Sequence, residues 1–166
     1  YSTIEKAGPF PVNAAAVTNF PALRLTQGRL SFADTAAKTI SVTGTLTLEG
    51  GASVELDVTP EGADCLAAGA VVLDASATEA NPMIIAVQAT GVVGLTDDVP
   101  VITGGALLEA DAAKFKVQDG FPATVAVVEG NLVLRPLEAT AAEWSAPDGE
   151  KYGLVWNDEF DGAEFD

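Results

Sequence analysis

Histidine is absent from this sequence, and cysteine occurs once, at Cys65. Without an imidazole there is no Ser-His-Asp triad, the commonest general base is missing, and most zinc sites are excluded. A single thiol cannot form an internal disulfide. No Lys or Arg adjoins Cys65 to lower its pKa, so the thiol reads as buried or incidental rather than reactive. Basic residues are also scarce, with 8 Lys and Arg against 24 Asp and Glu, a net charge of −16. A phosphate backbone would be repelled, which excludes nucleic acid as a partner, and anionic membranes are disfavoured for the same reason. No apolar run reaches the roughly 18 residues that a membrane-spanning helix needs, so membrane insertion by a helix is not expected. Helical periodicity is rare. Only Glu109 to Lys114, and more weakly Ala63 to Ala68, can be read as helical turns.

What is present is β-structure. The chain is 48% apolar, mostly Ala, Val and Leu, with 7% aromatics, which is too hydrophobic for a disordered segment. From Ala22 to about Pro136, short runs alternate apolar and polar residues with period two. They include Leu23-Arg24-Leu25-Thr26, Arg29-Leu30-Ser31-Phe32, Thr39-Ile40-Ser41-Val42, Thr45-Leu46-Thr47-Leu48 and Ser53-Val54-Glu55-Leu56-Asp57-Val58. Period two places successive side chains on opposite faces of a strand. Later runs are more continuously apolar, as buried strands are: Ala70–Leu73, Met83–Val87, Val99–Ile102, Thr124–Val128 and Asn131–Leu134. Gly44-Thr45-Leu46-Thr47-Leu48 is echoed by Gly69-Ala70-Val71-Val72-Leu73 and by Gly130-Asn131-Leu132-Val133-Leu134. Loose repetition of this kind predicts stacked coils, a short right-handed parallel β-helix, with a β-sandwich as the alternative all-β fold.

Four segments follow from this reading. Residues 1–21, with Pro9, Pro11 and Pro21, form an extended lead-in, and residues 22–136 form the β-solenoid module. Residues 137–151 form a linker rich in Ala, Glu, Ser and Pro, and a new segment starts at 152. The sequence begins at Tyr1 rather than Met, and is expected to be a piece of a longer protein.

Two resemblances bear on function. The Gly–strand–Gly-Gly pattern of residues 22–136, carried by Thr43–Gly51 and Gly130–Leu134, resembles the strand repeats of bacterial autotransporter passengers. It implies a parallel β-helix used for display, spacing or adhesion at the cell surface. Residues Tyr152-Gly153-Leu154-Val155-Trp156-Asn157-Asp158-Glu159-Phe160-Asp161-Gly162 are similar to the opening of family 16 glycoside hydrolases, the laminarinase-like clan. That resemblance implies a truncated jelly-roll whose first strand carries Leu154, Val155 and Trp156. Retaining glycosidases of this family need an acid-x-acid-x-x-acid array with carboxylates about 5–5.5 Å apart. No such array occurs here, so the resemblance implies a hydrolase as neighbour and no catalytic residues in this chain.

Candidate binding residues are few. Trp144 and Trp156 could stack on sugar rings, against a packing role for each. Asn157, Glu159 and Asp161, followed by Gly162, fit the first half of a calcium loop, against a solvated turn. Asp97-Asp98 reads as a solvated turn. Gly104-Gly105 lacks the following Lys or helix of a phosphate loop. The expected function is a non-catalytic structural or spacer module of a secreted bacterial surface protein, lying upstream of a polysaccharide hydrolase and able to associate with copies of itself. A carbohydrate-binding accessory domain of a β-glucan hydrolase is the alternative. No cofactor is expected other than the calcium option.

Overall fold

The computed structural model describes residues 3–137, together with the backbone of 144–145 and 151–152. It is all-β, as expected. The first sheet contains β1 (Ile4–Lys6), β3 (Asn19–Phe20), β4 (Leu23–Leu25), β6 (Thr39–Leu48), β9 (Cys65–Leu73), β11 (Val99–Thr103), β13 (Ala123–Val128) and β14 (Asn131–Pro136). The second contains β2 (Val12–Asn13), β5 (Arg29–Ser31), β7 (Ser53–Thr59), β8 (Gly62–Ala63), β10 (Met83–Ala89) and β12 (Phe115–Val117). A short strand pair, β15 (Trp144–Ser145) with β16 (Lys151–Tyr152), stands apart.

From β1 to β12 the chain passes repeatedly from the first sheet to the second and back. Each return lands parallel to the strand laid down before it. In the first sheet β4 pairs with β1, β6 with β4, β9 with β6, and β11 with β9. In the second sheet β5 pairs with β2, β7 with β5, β10 with β7, and β12 with β10. Parallel neighbours require long connections, which here are the crossings to the other sheet.

Register turns the sequence alternation into columns. Ile40, Leu66 and Ile102 lie side by side and are fully buried. Leu30, Val54, Ile85 and Val117 form a second buried column, from the opposite sheet. Leu25 and Leu48 form a third, and Lys6 continues it in β1. The outward positions alternate with these and carry Arg24 beside Thr47, and Arg29 beside Ser53. Phe20 meets Phe32 edge-on, with ring centroids 5.9 Å apart. Burying each aliphatic side chain in such columns is worth about 1.5–3 kcal/mol.

In the first sheet the parallel stacking ends at β11. There β14 pairs antiparallel with β11, and β13 antiparallel with β14. Glu129 and Gly130 both have positive φ, 50° and 78°, as a two-residue hairpin turn requires. The third echo, Gly130–Leu134, is therefore the outgoing arm of a hairpin rather than another parallel layer. Glu109–Lys114 does turn helically, as a 3-10 helix with Asp111 accepting from the Leu108 N–H. Ala63–Ala68 does not turn. It lies in β8 and β9, and Leu66 is buried in a column. The 1–21 segment contributes β1, β2 and β3, so pairing begins upstream of Ala22.

Candidate functional site

The path of the chain has two distinctive corners. The first runs along the first sheet, where β6 changes partner. Val42 pairs with Phe20 of β3, whereas Leu46 pairs with Leu23 of β4. Gly44 lies at the change, with Gly69 of the next strand near it. A Cβ on Gly44 would stand 2.5 Å from the Pro21 carbonyl oxygen, and one on Gly69 would stand 2.6 Å from that of Thr43. A Cβ on Gly104 would fall 1.9 Å from the Ala68 oxygen, and its φ is 82°. Each backbone thus lies directly against the previous one. Gly104 and Gly105 are packing glycines, the latter against Val71. An open groove of about 560 Å³ runs along this crease, bordered by Pro21, Ala22, Thr43 and Thr45.

The second corner is polar. Asp57 and Asp64 are fully buried where β7 and β8 lead into β9. One carboxylate oxygen of Asp57 accepts the backbone N–H groups of Asp34, at 2.6 Å, and Thr35, at 2.8 Å. Asp64 accepts the N–H of Lys38 at 2.9 Å and that of Asp57 at 3.0 Å. Thr35 is held at φ 77°, an uncommon conformation for a β-branched residue, where its N–H reaches the carboxylate. The Lys38 ammonium donates to the Phe32 carbonyl at 2.6 Å and pairs with Asp34 at 2.8 Å. The two acids therefore fasten the 32–38 connection to the 57–64 connection. The other oxygen of Asp57, Oδ1, is buried without a protein partner.

Titration follows from these contacts. Burial pushes the Asp64 carboxyl up, against the pull of its two N–H donors and Lys38. Hydrogen bonding from Lys38 holds Asp34 below its ordinary value. Burial also pushes the Cys65 thiol up, and its sulfur lies 3.7 Å from the Thr103 hydroxyl. A thiol shifted upward is protonated at neutral pH and is a poor nucleophile.

Three further carboxylates near the sheets are paired with arginines. Glu49 pairs with Arg24, and Glu55 with Arg29 at 3.0 Å. Asp98, exposed beside the Asp97 bend, also receives Arg135 at 2.6 and 3.0 Å, which ties the start of β11 to β14. That bond lowers the Asp98 pKa. Among the described residues, no three His, Cys, Asp or Glu side chains converge as metal ligands.

Trp156, Asn157, Glu159 and Asp161 lie outside the described residues. The Trp144 backbone pairs with Tyr152, and its side chain also lies outside the description. Sequence reasoning placed Asp57 on a strand but had no signal for its burial. Asp64, in a Gly-Ala-Asp-Cys stretch, carried none at all. Compared with known proteins, the chain matches no family model, no curated protein and no solved structure.

Proposed function

We propose that the successive parallel returns are the coils of a short right-handed β-helix, and that this β-helix is a non-catalytic spacer of a secreted bacterial surface protein. The observation that carries this reading is the register. The same inward positions meet in layer after layer, as in Ile40–Leu66–Ile102 and Leu30–Val54–Ile85–Val117. A stack of this kind is quasi-one-dimensional and sets a distance. The chemistry of the carboxylates supports the same reading. Asp57 and Asp64 are spent on backbone N–H groups, and Glu49, Glu55 and Asp98 on arginines. The similarity of residues 152–162 to the opening of family 16 glycoside hydrolases supports a polysaccharide hydrolase as the neighbouring domain.

Co-sedimentation with insoluble β-1,3-glucan tests the role. A spacer stays in the supernatant at every polysaccharide concentration. Retention that is lost in Trp144→Ala or Trp156→Ala would replace the spacer with a carbohydrate-binding accessory domain.

A further inference from the structure

The crossing from the second sheet back to the first, between β12 and β13, carries an Asp-Gly pair, Asp119-Gly120. The chain is anchored on both sides of it. Before the pair, the Gln118 N–H donates to the Ile85 carbonyl at 2.8 Å, and after it the Ala123 N–H donates to the Phe121 carbonyl at 2.8 Å. Between those bonds the Gly120 N–H makes no backbone hydrogen bond. Gly120 has a φ of 106°, and open space surrounds the position a Cβ would take. The Asp119 side chain is 92% exposed, and Lys116, itself more than half exposed, stands 3.3 Å from one of its oxygens. A pair so exposed holds a carboxylate weakly. The Asp119 carboxyl can therefore turn back onto the nitrogen of Gly120, and no side chain at 120 stands in its way.

The other aspartates of residues 3–137 are placed differently. Asp34, Asp57 and Asp98 precede Thr or Val, whose branched side chains crowd the following nitrogen, and Asp64 is fully buried. Asp74 accepts the Ser76 N–H at 2.9 Å, Asp97 accepts the Thr96 hydroxyl at 3.0 Å, and Asp111 accepts the Leu108 N–H at 3.0 Å. From the free N–H, the exposed carboxyl and the missing side chain, we infer that Asp119-Gly120 is a self-modification site, at which the chain converts its own aspartate to isoaspartate with water as the co-reactant. The Gly120 nitrogen gives up its proton and bonds to Cγ of Asp119. The carboxyl hydroxyl leaves with that proton as water, and a five-membered succinimide closes. Water then adds at one of the two ring carbonyls. Opening at Cγ restores aspartate. Opening at the main-chain carbonyl breaks its bond to nitrogen and leaves the chain running through Cγ, one carbon longer and unchanged in mass. The inference goes beyond the spacer reading and does not rest on it.

The test is incubation of the 166-residue chain in warm neutral buffer made with heavy-oxygen water, followed by peptide mapping that separates isoaspartate from aspartate. A synthetic peptide of residues 117–122 is the unrestrained reference. The expected result is isoaspartate carrying one heavy oxygen at position 119. Its rate should lie within about tenfold of the peptide's, and at least about tenfold above that of any other aspartate in residues 3–137. Asp119→Glu should abolish it, because closure would then need a six-membered ring. Asp119 is almost fully exposed, so this variant should melt with the parent. A rate more than about tenfold below the peptide's would show that the fold restrains the turn, and would overturn the proposal. So would isoaspartate spread evenly over the aspartates, or a modified 117–122 peptide that persists in Asp119→Glu. The Asp148-Gly149 and Asp161-Gly162 pairs lie outside the described residues and are mapped as separate peptides.

Discussion

The two corners achieve close approach of successive strands by opposite means. At the crease, side chains are removed. Gly44, Gly69 and Gly104 let each backbone lie against the carbonyl of the one before. At the polar corner, side chains are added. Asp57 and Asp64 fill the space and satisfy N–H groups that the turns would leave buried without partners. The glycine corner is satisfied by van der Waals fit, so any Cβ is an error there. The acidic corner is satisfied by hydrogen bonds, so the error is a missing acceptor. The lesson concerns tolerance. The first corner should resist any enlargement, and the second should resist truncation and respond to pH.

The largest effect is expected at the crease. Gly104→Val must place a branched side chain at positive φ against the Ala68 oxygen, and should cost about 4 kcal/mol. A urea unfolding curve checks this, and a loss below 1 kcal/mol would show that the crease can spread. Next is Asp57→Ala, which strips the shared acceptor from the Asp34 and Thr35 N–H groups and should cost about 3 kcal/mol. Asp57→Asn keeps one acceptor oxygen and should recover part of that loss in the same assay. If Asn and Ala are equally damaging, the corner depends on charge and not on hydrogen-bond count.

The smallest effect is a pH dependence. The folded Asp64 carboxyl holds its proton more tightly than it does in the unfolded chain. Its contribution is therefore fully present below the ordinary Asp pKa and declines as pH rises through the raised, folded value. Asp98 and Asp34 act in the opposite sense. Their folded pKa values are depressed, so their contribution is present above the ordinary value and is lost as pH falls. The stability gap between the parent and Asp64→Asn should accordingly narrow as pH rises from 3 to 7. A gap that widens over that range would reverse the assignment.

Much of the β architecture was legible because outward and inward residues alternate cleanly. The runs from Leu23, Arg29, Thr39, Thr45, Ser53 and Met83 all lie in strands. The echo of Gly44–Leu48 in Gly69–Leu73 is the clearest case, since Thr45 pairs with Ala70 and Leu48 with Leu73. The echo at Gly130 misled, because Gly serves equally at a close backbone approach and at a hairpin turn. The edge strands β1, β2 and β12 were invisible. They have two or three residues each, too few for alternation to register. The repeat itself was faint because the returns differ in length. Leu23 pairs with Leu46, but Leu66 pairs with Ile102, and the longer interval takes in the 74–82 connection. The polar corner was illegible for a different reason. Nothing in a local pattern distinguishes a carboxylate that faces solvent from one that faces the backbone of a loop some 25 residues away.

The claim that matters most is that these residues hold a position and perform no chemistry. Release of reducing sugar from soluble β-1,3-glucan by the purified 166-residue chain tests it directly. The account predicts a rate no different from a buffer blank at any pH between 4 and 8. Steady hydrolysis that persists through repurification and disappears in a carboxylate variant would contradict it.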